Sequence, residues 1–516
     1  MKCWVRSGLG LGVVIGVLAG APVVPVARGQ GAPRNEVKLS LGKKLDLVAG
    51  KREPVRPEVA AKIQACIDGL VEIDGKGYRY TPAGKGNLPA TERVPKEATE
   101  GKGFLPNPER TYAEAMRETD ARKKAVVQAR ALVEWGPDAL PYLLKAMDDK
   151  RQTKWTFKST QGRGGISMWF GNEVAFNPMN PVEAKALEGL PQKPRQDLPD
   201  YTVRVGDVCF VVVGEIVGRP YEVAHKTQIT TTINSPVFDE DMCRRVRMAW
   251  AGEDPWKVVF ESLLTDYATD APFNGKSLDG WNVGSRYKVE AALRMLYYFP
   301  AETAPAISSR LEKLDVPKTE GATGGMMRDV ANGVVVKDFI EAVNGSPAKE
   351  VQAALVGVFQ RTGDWQVMLA TAPAVADKAA VKTRLGKFLK EIPADNQVSS
   401  QKIGLINGTV ALLGDDALPL LQEYLEGASA MGANYVAEAL TKVKSAGSDA
   451  LLLRMLEDKR RATPNGVRVC DWAAAGLAEH HPELMYPQMT FESTRRTDAE
   501  KDPQIAAIQA ALGKGR

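Results

Sequence analysis

Residues 138–151, DALPYLLKAMDDKR, return at 449–460 as DALLLRMLEDKR, and residues 203–217, VRVGDVCFVVVGEIV, return at 467–479 as VRVCDWAAAGLAE. Lys150 and Arg151 answer to Lys459 and Arg460, while Val203, Arg204, Val205, Asp207 and Glu215 answer at one offset to Val467, Arg468, Val469, Asp471 and Glu479. A segment written twice marks a repeat architecture, so reading one unit reads the fold. In the first copy Leu140, Leu143, Leu144 and Met147 step by three and four behind Gly136-Pro137-Asp138, which predicts a short amphipathic helix with proline in its first turn. Val126, Ala129 and Val133 form a stripe before it that ends at Trp135-Gly136, so two helices meet at a tight glycine turn. Val205, Val208, Cys209, Val212 and Ile216 keep helical spacing too. The β-branched run Cys209 to Val213 suits a strand, but its counterpart WAAAGLAE is Ala-rich, and helix is the reading that fits both copies.

One such hairpin cannot stand alone. Four buried aliphatic side chains contribute about 1.5–3 kcal/mol each, whereas ordering a dozen residues costs about 1–2 kcal/mol apiece in backbone entropy. Stacking on neighbouring units must supply the difference. Further units are present: GDDALPLLQEYLE at 414–426 repeats the Gly-x-Asp-Ala-Leu-Pro opening, and ETAPAISSRLEKL at 302–314 is a looser echo. The pattern, followed by a helix with Val-Arg and Asp before an Ala-rich run, resembles HEAT-like repeats, including those of the phycobilin-lyase kind. The resemblance covers 111–151 and 396–486, is looser over 285–391 and is absent from 152–200. It implies a mostly α fold, an irregular α-solenoid of helical hairpins, and protein binding; it brings no catalytic residues.

The N-terminus reads as a secretory signal: MKCWVR, an apolar run from Leu9 to Ala19, and Ala27-Arg28-Gly29 before Gln30, with cleavage expected after Gly29. The alternative is an uncleaved N-terminal membrane anchor, for which the glycines, Pro22 and Pro25 are poor material. No later stretch is expected to span a bilayer. Removing residues 1–29 takes away Lys2, Arg6 and Arg28 and lowers the net charge from +5 to +2, too small a surplus for a generic nucleic-acid binder. Cys66, Cys209, Cys243 and Cys470 remain, an even number compatible with disulfides in an exported protein; Cys209, on an apolar stripe, reads as a small buried hydrophobe.

The expected organisation is a mostly disordered lead-in over 30–110 with one helix at 57–73, an N-terminal helical repeat over 111–285 holding a long insertion at 152–202, a helical repeat region over 286–486, and a charged tail over 487–516. Within the insertion, Trp155, Phe157 and Ile166–Phe170 suggest a small β-hairpin around Gly164-Gly165. Helices are expected from Asp239 to Trp250 and from Pro255 onward.

The residue types that could carry chemistry also suit plain structural roles. Glu479, His480, His481 and Glu483 near Cys470 offer zinc-ligand types, but histidine in a last helical turn suits the helix dipole, adjacent histidines are expected to diverge, and no metal or other cofactor is expected. His225 has no nucleophile elbow or reactive-cysteine signature beside it. Asp239, Glu240 and Asp241 fit the first turn of a helix. The runs QGRGG and GATGG lack P-loop and dinucleotide-loop spacing. FNGKSLDGW at 273–281 is similar to the opening strand of the keto-disaccharide hydrolase-like sandwich family, but the helical pattern that follows departs from a sandwich.

The candidate partner-binding run is Lys150, Arg151, Lys154, Trp155, Phe157, Lys158 and Arg163, with Trp169 and Phe170: rings interleaved with cations and no acid, a pattern that suits a polyanion or a protein. The sequence thus predicts a non-enzymatic binding or scaffold module of the cell envelope, whose partner is another envelope protein or an anionic polymer, with no sequence-specific nucleic acid. The rival is an enzyme acting on carbohydrate or another envelope substrate through the 152–235 region. Because the second copy passes from Arg460 to Val467 through RATPNG alone, the insertion is expected to be a dispensable binding loop that the short link ATPNG could replace, with a cap on the helices as the alternative.

Overall fold

Proline in the first turn opens α1 (Pro57–Gly69), which buries Ile63 and Ile67 on one face and closes through a 3-10 turn, Leu70–Glu72. The computed structural model describes residues 47–73, 121–158, 166–168, 183, 196–219, 221, 223–226, 231–268, 283–314, 316, 328–329, 334–391, 400–463, 466–484, 486 and 496–513, all within one compact unit, Leu39–Arg516. The signal segment, most of the lead-in, Arg163, Gly164-Gly165, Trp169, Phe170, FNGKSLDGW and the Gly321–Gly325 break lie outside the described residues.

The chain is mostly helical. α2 (Ala121–Trp135) ends at Gly136, whose φ of 54° turns the chain through the 3-10 residues Gly136–Asp138 toward α3 (Leu140–Ala146). Only glycine takes that conformation cheaply, and a Cβ there would stand 2.3 Å from the Tyr298 ring. The same corner recurs at Gly414, again with φ 54°, a 3-10 turn and a helix with proline in its first turn. Gly-x-Asp-Ala-Leu-Pro therefore encodes a helix corner.

The insertion departs from the expected hairpin. β1 (Gln152–Lys158) does not fold back on β2 (Ile166–Met168); β2 pairs with β3 (Gln196–Leu198), and β1 pairs antiparallel with β4 (Asp200–Arg204), placing Thr156 opposite Thr202 and Lys158 opposite Asp200. The cause is topological: the strand leaving α3 and the strand entering the next helix start from one corner, so the two ends of the insertion meet each other. That next helix, α4 (Val205–Val217), is buried over its whole length and ends at Gly218, φ 74°. Beyond it, β5 (Ala224–Lys226) and β6 (Thr231–Ile233) join β2 and β3 in the order β3-β2-β6-β5.

The helices that follow are α5 (Glu240–Trp250), α6 (Pro255–Ala268), α7 (Val283–Tyr298) and α8 (Pro300–Glu312), then, after a two-stranded bridge of Arg328–Asp329 with Val334–Val335, α9 (Val336–Val343), α10 (Lys349–Arg361) and α11 (Trp365–Thr371). α12 (Lys378–Lys390), α13 (Ser400–Leu413), α14 (Leu418–Gly427), α15 (Ala430–Leu440), α16 (Ala446–Met455), α17 (Val469–His480) and α18 (Asp498–Gly513) complete the chain. Contacts skip one element at a time: α7, α9, α11, α13, α15 and α17 touch in succession, α8 touches α10, and α12, α14, α16 and α18 touch in succession, with α7–α8, α10–α11, α12–α13, α14–α15 and α16–α17 packed as pairs. Apolar side chains from Ile63 to Ala370 form one buried cluster and those from Phe359 to Ile508 a second.

One expectation changes. The charged tail holds α18, which buries Ile505 and Ile508 against α16 and α17 and pairs its Asp502 with Arg468 and its Lys501 with Asp471. Lys402–Gly427 is apolar and long enough by composition to cross a membrane, yet it is two helices, of 14 and 10 residues, broken at Gly414. Each falls short of the ~20 residues that a span needs.

Candidate functional site

The repeated residues build one corner twice. Asp149 accepts the backbone N–H of Arg151 at 2.9 Å and its guanidinium Nη2 at 2.6 Å, and Asp458 accepts those of Arg460 at 3.0 and 2.7 Å. The carbonyls of Arg151 and Asp149 take the N–H groups of Val205 and Gly206 at 2.9 and 3.1 Å; those of Arg460 and Asp458 take Val469 and Cys470 at 3.1 and 2.9 Å. The first two of the otherwise orphaned donors of α4 and of α17 are thereby satisfied. Burial raises the carboxyls of Asp149 and Asp458, but the arginine hydrogen bonds outweigh it and hold both below the usual carboxylate range. The second copy closes with a single bridge, Arg461 to Arg468; at the matching pair, Gln152 and Arg204, the first copy opens into the β1–β4 ribbon.

The pleat of β1 separates what the sequence interleaves. Thr153, Trp155 and Phe157 face the protein, and Gln152, Lys154, Thr156 and Lys158 face out. Trp155 and Phe157 lie 4.9 Å apart, centroid to centroid, and pack against the N-terminal core. The rings therefore anchor the ribbon instead of offering a stacking platform among cations. Nor are all the cations unengaged: Arg151 also pairs with Asp68 at 2.9 Å and Lys154 pairs with Glu72, both from the α1 segment. Lys150 and Lys158 are exposed, as is half of Phe238, which sits beside the Arg204 guanidinium, 5.5 Å from its ring centroid. Arg163, Trp169 and Phe170 are not among the described residues.

Sequence reasoning missed the buried ionic groups around α4. Asp207 is fully buried; Tyr201 Oη donates to it at 2.6 Å, Ser235 Oγ at 2.5 Å and the Arg204 N–H at 2.8 Å, and burial pushes its carboxyl up to about 6 against those bonds. At the other end Arg219 donates to Glu183 at 2.5 Å, to Asp266 at 2.5 Å and to Ser262 at 3.3 Å, all sealed from solvent. Arg294 bonds Glu215 at 3.2 Å and also pairs with Glu290. Asp207, Glu183, Glu215 and Asp266 lie in or against the region assigned to the rival enzyme reading, but each is buried and held by hydrogen bonds, and Glu183, Glu215 and Asp266 are paired with arginine. A hint was the placement of Arg219 directly after the helix-ending Gly218.

The histidines do not diverge. α17 ends at His480, and His481 leaves the helix at φ −121°, ψ 81°, which brings both rings to one carboxylate: His480 Nδ1 to Asp449 at 2.6 Å and His481 Nε2 to Asp449 at 2.8 Å. Among the described residues no group of three His, Cys, Asp or Glu side chains is disposed to hold a metal ion. The four described cysteines are free thiols, and burial raises Cys470 to about 11. Asp239 caps α5 through the N–H groups of Asp241 and Met242, with Glu240 and Asp241 in the first turn. His225 lies on β5 opposite Thr232. A groove of about 350 Å³ between α12 and α14 is lined by Gly386, Leu389, Leu420 and Tyr424, with Lys390 and Glu423 paired beside it at 2.8 Å. Comparison with family models, curated proteins and solved structures finds no match.

Proposed function

We propose that the chain is an exported, non-enzymatic binding module, an α-solenoid of HEAT-like hairpins that presents the β1–β4 ribbon to another envelope protein. The contacts that skip one helix at a time support the solenoid, since each pair then buries its apolar stripe against the next. The observation that carries the binding site is the division of β1: Trp155 and Phe157 are fixed inward while Thr156, Lys158 and Arg204, with the exposed Phe238 beside them, form an outward face on a rigid base. A preorganised polar face with one aromatic suits a protein partner. Arg151 and Lys154 are already paired with acids, which favours a protein over a polyanion.

The test is capture from envelope extract by residues 30–516 carrying Lys158→Glu with Phe238→Ala, beside the wild type. A partner held stoichiometrically by the wild type and lost by the variant at unchanged thermal stability supports the ribbon. The same partner on both would place binding elsewhere, and elution from immobilised heparin at high salt would return the polyanion reading.

A further inference from the structure

Among the arginines buried in the N-terminal half of the helical array, Arg310 lacks what Arg219 and Arg294 have. Arg219 and Arg294 each meet two carboxylates. Arg310, in the last turn of α8 and 9% exposed, has its guanidinium carbon 5.4 Å from the ring centroids of both Tyr267 on α6 and Phe339 on α9. Its Nε and Nη2 are sealed from solvent and have no hydrogen-bond partner, and the buried Tyr267 hydroxyl, which the Arg310 guanidinium approaches, has no acceptor for its own proton. Glu312, two residues on, is exposed and its field acts on Arg361, which spends its own Nη2 on the Leu311 carbonyl.

We infer that Arg310 and Tyr267 bind an oxyanion, a phosphate or carboxylate group, among α6, α8 and α9. Two rings stabilise a cation through their faces but accept none of its N–H bonds. A buried charge without an opposite charge, with its donors unmet, is among the most costly arrangements in a fold. Nε and Nη2 form one edge of the guanidinium, the edge whose two parallel N–H groups match two oxygens of one anion, and the Tyr267 hydroxyl adds a third donor. A water molecule would satisfy some of these donors and leave the charge uncompensated.

Thermal unfolding of the full chain tests this, first in chloride and then with chloride exchanged at constant ionic strength for inorganic phosphate or, separately, acetate. The wild type is expected to gain about 3 °C at a hundredfold excess of the anion over its dissociation constant, and Arg310→Met is expected to gain nothing. A response to phosphate assigns a tetrahedral anion, a response to acetate a carboxylate, and either supports the site. Tyr267→Phe keeps the ring, removes one donor and should weaken the same anion roughly tenfold; it decides the matter if Arg310→Met fails to fold. No gain in the wild type, an equal gain in Arg310→Met, or an unchanged affinity in Tyr267→Phe overturns the inference.

Discussion

Arg204 and Arg468 occupy one position in the repeated unit and treat their helix's aspartate in opposite ways. The Arg468 guanidinium donates to Asp471 at 2.8 Å, whereas that of Arg204 turns to the Lys150 carbonyl at 3.0 Å and leaves Asp207 to two hydroxyls and a backbone N–H. Asp502 helps to hold Arg468 in place at 2.6 Å, and Lys501 reaches Asp471 at 3.4 Å, both from α18. One capping residue thus sits in two electrostatic settings.

Asp207 should make the fold less stable as pH rises. Burial lifts its carboxyl from 3.8 to about 6, so between those values the folded chain holds a proton that the unfolded chain has released. The stability of the neutral form is present below the lower value and fades as pH climbs through the upper one. Asp207→Asn cannot ionise, and relative to wild type it should gain roughly 3 kcal/mol between about pH 3 and about pH 7.5. Urea midpoints at the two pH values check this; a difference that does not change with pH means that Asp207 titrates as in a free chain.

Asp471 should behave with the opposite sign. Burial raises its carboxyl, but Arg468 outweighs burial and the folded value lies below the ordinary 3.8. Its stabilisation is present above that value and is lost as pH falls further. Asp471→Asn leaves Arg468 and Lys501 facing a neutral group in a buried site, at a cost of about 3–5 kcal/mol near neutral pH. Because Asp471 anchors α18 through Lys501, hydrogen exchange along Asp498–Gly513 should accelerate in this variant more than exchange along α7.

Leu143 sits fully buried mid-stripe between Leu140 and Met147. Truncation to alanine should cost about 2–5 kcal/mol in urea unfolding, and a loss under half a kcal/mol would mean that the pocket closes over the gap.

The helices and their corners were legible because each rests on local signals: the three-and-four stripe at Leu140–Met147, proline in first turns, and glycine where φ must be positive at Gly136 and Gly414. The repeated Asp-Lys-Arg was visible but its meaning was not, since Arg151 and Arg460 look like surface charge until their carbonyls are seen to receive the next helix. The alternation that puts Trp155 inward and Lys154 outward is in the sequence as well, at strand period, but in one dimension it is indistinguishable from rings interleaved with cations. What no local pattern discloses is long-range pairing: Glu183 with Arg219, Tyr201 with Asp207, or both histidines with Asp449.

The insertion supplies the last test. A chain that closes the same corner through RATPNG in its second copy invites replacement of residues 152–202 by that link, and the Arg461–Arg468 bridge shows that the shorter path fits the corner. As a mere loop it should come away at little cost, because loop entropy changes by only about 0.6 kcal/mol per doubling of length. Its contacts say otherwise. Excision removes Ile166 and Tyr201 from the buried cluster, takes one of the two hydroxyl partners from Asp207, and strips Glu183 from Arg219. Losing one partner of a buried ion pair alone costs about 3–5 kcal/mol. The replaced protein should therefore lose the cooperative melting of its N-terminal half while α12 to α18, whose core is a separate cluster, keep their helical signal. Circular dichroism should show two transitions in place of one, the earlier displaced to lower temperature. Glu183→Gln in the full-length chain, which keeps the ribbon and removes only the charge, should reproduce part of that shift without disturbing binding at Lys158. A single transition at the wild-type temperature would mean that the insertion is a loop after all, free to be spent wholly on recognition.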